Sequence, residues 1–115
     1  MTPALKDAFE CEMAEARRLY RAGRLDQAFK HLETAHVLGQ RHVVPHVRSH
    51  WLMLKIGLRR RSVPEFFGQA IRIAFGALGS AVGVVPMGNT GGTDISMFKR
   101  LPIAPDIASI LDNKK

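Results

Sequence analysis

A chain of 115 residues has room for one domain with a buried core. Its single cysteine, Cys11, excludes an internal disulfide and any paired-cysteine zinc or redox motif, and the longest apolar stretch, residues 73–85, is too short and glycine-rich to span a membrane. The net charge of +7 could attract nucleic acid. However, the basic runs Arg17-Arg18-Tyr20-Arg21-Arg24 and Arg59-Arg60-Arg61 lack helix-turn-helix or zinc-finger spacing, so nucleic acid is not the expected partner.

The first helix is predicted from Pro3 to Ala22, with Thr2 as N-cap, proline at the first helical position and Gly23 as the stop. A second runs from Leu25 to Leu38 and ends at Gly39, read as a C-terminal glycine. Pro45 fits a third helix only in its first turn, which places the start near Val43 or Val44 and the end near Arg61. Ser62 followed by Glu65 is a capping box that opens a fourth helix, running to about Ser80. Beyond Gly79 the texture changes: Gly88-Asn89-Thr90-Gly91-Gly92-Thr93-Asp94 is turn chemistry. Prolines bracket short apolar pieces, and a last short helix fits 105–111. No strand pattern appears. The expected fold is all-α, a small four-helix domain over 1–84 with an irregular arm over 85–115 that packs back through Phe98, Leu101 and Ile103.

Helical wheels at about 100° per residue place polar groups on apolar faces. In the first helix Leu5, Ala8, Phe9, Ala16, Leu19 and Tyr20 form a stripe with Glu12 inside it and Glu15 at its edge. The second carries His36 in the stripe of Leu25, Ala28, Phe29 and Leu32, and the third carries His50 with Val43, Val47, Leu54 and Gly57. His46 borders that face, one turn from His50, a spacing at which two imidazoles reach one ion. Polar groups at core positions cost several kcal/mol unless satisfied. Glu12, His36, His46 and His50 are therefore the candidate ligands for a divalent metal ion, with Glu15 and His42 in reserve. Imidazole and carboxylate donors favour zinc or iron. Glu33 and His36 also make a Glu-x-x-His pair, but a di-iron bundle needs two such pairs.

A bland reading stands beside this one: each polar group is satisfied within the core, Glu12 by Arg48 or His36. The glycine-rich loop reads as a turn, since it lacks the lysine and following helix of a phosphate loop. Trp51 reads as a core aromatic or the lining of a small pocket.

The run Ala16, Leu19, Gly23, Ala28, Leu32 and Ala35 resembles one tetratricopeptide repeat. It departs where Glu12 and Glu15 replace the consensus apolar positions, and no second copy follows. Three segments, residues 35–42, 45–51 and 88–92, resemble a small bacterial family that carries only a domain-of-unknown-function label. That resemblance implies no activity. The expectation is thus a cytoplasmic metal-binding helical protein, with catalysis left open. The alternative is a repeat-like module that binds a peptide or protein, with a homodimer possible and no membrane contact.

Overall fold

A computed structural model describes residues 1–83, 89, 91 and 100–112. The helices are α1 (Pro3–Arg21), α2 (Leu25–Gly39), α3 (Val43–Arg59), α4 (Val63–Val82) and α5 (Pro105–Asp112). No strand occurs among the described residues. The expected signals operate at most ends. Thr2 Oγ1 accepts from the Leu5 amide at 3.2 Å, and Ser62 Oγ accepts from the Glu65 amide at 3.3 Å. Only half of the capping box forms, because the Glu65 carboxylate takes Arg60 at 2.9 Å instead. Gly83 ends α4 in the left-handed region, with φ +78°.

Gly39 departs from expectation. It is not a left-handed cap but the last helical residue of α2, where α1 and α3 crowd in. A methyl group there would lie 2.7 Å from Pro45 Cβ and 2.9 Å from Phe9 Cε1. The residue is small because three elements meet on its backbone.

Two interiors result. The apolar one joins Leu5, Phe9, Met13, Ala16 and Leu19 of α1 to Ala28, Leu32 and Ala35 of α2 and Leu52, Met53 and Ile56 of α3. Helix α5 seals it with Ile107, Ile110 and Leu111. The arm is therefore partly helical. Ile103 of the arm lines a cleft with Lys30, Thr34 and Val37 of α2, and Leu101 is half-buried, whereas Phe98 lies outside the described residues. Trp51 is not the core aromatic that the sequence suggests: it is exposed, because the buried side of α3 turns through Leu52, Met53 and Ile56. The second interior lies between α2, α3 and α4, and it is polar. Helix α4 buries only Gln69 and Ser80 in it.

Arg48 of α3 makes a paired hydrogen bond to Glu10 of α1 at 2.6 and 2.9 Å, so Arg48 is not the partner of Glu12. Arg60 similarly ties α2 to α4 through Asp26 and Glu65.

Gly39→Ala is expected to destabilise the fold by about 1–3 kcal/mol through overpacking, measured by urea denaturation. An unchanged midpoint would show that Phe9 and Pro45 can move apart freely.

Candidate metal centre

His36 sits in the last turn of α2, and His46 and His50 lie one turn apart on α3. Because α2 and α3 pack side by side, the three imidazoles meet. Their Nε2 atoms form a triangle with sides of 3.0 Å (His36–His46), 2.9 Å (His36–His50) and 3.2 Å (His46–His50). All three side chains are buried, 2–3% exposed.

The outer nitrogens fix the tautomers. His36 Nδ1 lies 2.6 Å from the Asn89 carbonyl oxygen, which can only accept, so this nitrogen carries the proton and donates. Ser80 Oγ gives its hydrogen to the Gln40 carbonyl at 2.7 Å, and so accepts from His46 Nδ1 at 2.6 Å. Gln69 points its amide nitrogen at the Gly91 carbonyl at 2.8 Å. Its Oε1 is thereby turned to accept from His50 Nδ1 at 2.6 Å. With every Nδ1 protonated, neutral rings present three bare Nε2 lone pairs to one another. No hydrogen is left to lie between them. The arrangement is repulsive unless a cation occupies the centre.

The donor set fits a metal ion. Nitrogens bound tetrahedrally at about 2.0–2.1 Å stand roughly 3.3 Å apart. The observed triangle reaches that size if each side opens by a few tenths of an ångström. Each Nδ1–H held by an oxygen is the arrangement that orients metal-ligating histidines and raises their basicity.

Burial also disfavours protons at the cluster. It holds His36 well below the usual imidazole range, reinforced by His50 and His46. It lowers His46 to about 4, against the opposing Gly76 carbonyl, and His50 to about 3, against the Gln69 hydrogen bond.

Two glycines let backbone approach the rings. A Cβ at Gly76 would lie 2.9 Å from His46 Cε1, and one at Gly91 would lie 2.7 Å from His36 Cδ2. Gly91 also has a φ of +85° and gives its amide to Asn89 Oδ1 at 2.9 Å, which shapes the turn that aims the Asn89 carbonyl.

The remaining sequence candidates lie elsewhere. Glu12 is not in the cluster: its carboxylate meets His31 Nδ1 at 2.7 Å, partly exposed, between α1 and α2. Met13, not Glu12, fills the middle of the α1 stripe, and that rotation carries Glu12 to the flank facing α2. Glu15 pairs with Arg18. His42 is the N-cap residue of α3 and stays outside the group. Cys11 is exposed. Of the glycine-rich loop only Asn89 and Gly91 are described, and both serve the histidines; Asp94 lies outside the described residues.

Gln69 and Ser80 are absent from the sequence expectation. Their signal is present, however: Gln69, Gly76 and Ser80 make a polar and small stripe at spacings of seven and four along an otherwise apolar helix.

A family model described as "Protein of unknown function (DUF3703)" matches residues 3–111. Comparison with curated proteins and with solved structures finds no match.

The lowered histidine pKa values set the acid sensitivity of the metal-free protein. Their folded values lie below the ordinary 6.5, so the unfolded chain takes up protons first as the pH falls. The stabilisation is complete above about 6.5. It is lost toward pH 4–3, with an expected slope of about 1.4 kcal/mol per pH unit for each histidine that the unfolded state alone protonates. Urea melts of metal-free protein between pH 7.5 and 5 measure it. A flat profile would contradict the buried neutral triad.

Proposed function

The chain belongs to the DUF3703 family, and we propose that it binds one divalent transition-metal ion through His36, His46 and His50. The observation that carries this reading is the triangle of inward-facing Nε2 lone pairs, each backed by an Nδ1–H donated to a fixed oxygen. Neutral imidazoles suit zinc or iron, and the absence of any thiolate or carboxylate from the described group favours a three-histidine site. Such a site leaves one coordination position for a further donor. When bound, the ion would supply positive charge and Lewis acidity at the centre of the α2–α3–α4 interior.

This chain's own residues divide the work. Gln69, Ser80 and the Asn89 carbonyl orient the rings, while Gly76 and Gly91 make room for them. Glu12 stands outside this ligand set. Glu12 and Glu15, the carboxylates nearest in the sequence argument, are engaged with His31 and Arg18. A second reading keeps the α1–α2 hairpin as a tetratricopeptide-like interaction module whose triad only fixes packing. The exposed apolar side of α4 favours some contact surface, and metal titration separates the two readings.

Demetallated protein titrated with zinc, iron(II) or cobalt(II) is expected to bind one equivalent, with cobalt giving the intense visible bands of a tetrahedral site. At a metal concentration a hundredfold above Kd, unfolding should be harder by about 2.7 kcal/mol. His50→Ala should remove binding, while His31→Ala should leave it intact. No saturable binding by the folded wild-type protein would overturn the reading, whether or not His50→Ala folds.

Gln69→Ala is expected to keep the helical fold and weaken metal affinity roughly 10–100-fold, because His50 loses the acceptor that fixes its tautomer. Unchanged affinity would show that Gln69 does not position the ring.

A further inference from the structure

Helix α4 is turned inside out. Its buried side chains are the polar Gln69 and Ser80. Val63, Phe67, Ile71, Phe75, Leu78 and Val82 are all 50–65% exposed. At about 100° per residue these six fill one arc of roughly 120°, opposite the side that meets the histidines. Pro64, Ala74 and Ala81 share that arc and are also exposed. No charged residue lies on it. The charged side chains of α4, Glu65 and Arg72, sit on its other side.

We propose that this face is the contact surface of a symmetric homodimer, in which α4 packs antiparallel on α4 of a second copy. The six large side chains expose on the order of 700 Å². That exceeds the roughly 300–600 Å² of the largest apolar patch on a typical monomer. It also approaches the roughly 800 Å² per partner of a standard interface. Helix α4 lies at the edge of the helical array and, among the described helices, packs only on α3, so no other described helix covers its outer side.

The face itself selects the occupant. A second copy presents the same uncharged apolar arc, so an antiparallel pair covers both faces without burying a charge, and the +7 of each copy stays outside the contact. An anionic membrane would call for Lys and Arg along the helix flanks, where α4 has only Arg72. A two-fold axis through an antiparallel pair crosses near the helix midpoint, between Ile71 and Phe75, where Ala74 permits close approach. The proposal is independent of the metal reading, since the histidines contact the opposite side of the helix.

Analytical ultracentrifugation of the full chain tests it. The wild type is expected to sediment at twice the 12.8 kDa chain mass. Ile71→Glu together with Phe75→Glu should raise the dimer dissociation constant at least about a hundredfold and leave metal stoichiometry unchanged. Should that variant not fold, Ala74→Cys in a Cys11→Ser background decides the matter. Oxidation is expected to cross-link the Ala74→Cys protein quantitatively, whereas the wild type, with Cys11 alone, should not cross-link. A monomeric wild type, a dimer that survives the double glutamate variant, or a folded Ala74→Cys protein that fails to cross-link would each overturn the proposal. So would a wild type that is monomeric in solution and gathers on phosphatidylglycerol vesicles through this face, which would make a membrane the occupant.

Discussion

Three imidazoles share one buried space, and each has already spent its only N–H on an oxygen outside that space. This constraint organises the second half of the chain. The Asn89 carbonyl, Ser80 Oγ and Gln69 Oε1 each accept from a different ring. Gln40 and Gly91 then hold Ser80 and Gln69 in the orientation that makes them acceptors. Reversing any one of these bonds would let a ring turn its N–H inward and relieve the repulsion. These outlying groups therefore cooperate to keep the lone pairs facing one another. A proton at the centre would satisfy at most one neighbour well, whereas a metal ion satisfies all three donors together.

The same constraint explains why α4 differs from the other helices. A helix that meets an apolar core carries its large apolar side chains inward, as α1 does with Leu5, Phe9 and Leu19. Helix α4 meets a polar centre instead. Its inward stripe must supply hydrogen-bond acceptors and a glycine gap, which Gln69, Ser80 and Gly76 provide. Six of its eight large apolar residues are left on the outside, where only another surface can bury them, while Phe66 and Ile73 are half-buried. The polar interior and the exposed face are two consequences of one helix orientation.

The helices and their ends were legible because local chemistry sets them: Thr2, Pro3, Ser62 and the prolines act within one turn. The three histidines were legible for a similar reason, since His36 and His50 fall on the inward arcs of their helices and His46 lies one turn from His50 at the border of the same face. Glu12 was misplaced because a wheel resolves phase only to within a residue; Met13 competes for the same inward slot, and the bulkier apolar side chain takes it. Gly39 read as a cap because the sequence does not reveal that Phe9 and Pro45 converge on it from other helices. The acceptors behind the rings depend on packing between elements distant in sequence, such as Asn89 against His36 and Ser80 against His46. For that reason Gln69 and Ser80 emerge only once α4 is seen to carry its polar stripe inward.

The metal site depends on where three protons are and are not. Nitrogen-15 NMR of the imidazole rings in metal-free protein at pH 7.5, before and after one equivalent of zinc, reads this directly. Nδ1–H tautomers are expected for His36, His46 and His50, with all three Nε2 signals moving together to metal-bound values as zinc is added, while His31 stays unchanged. A proton on Nε2 of any of the three, or Nε2 signals that zinc leaves in place, would contradict it.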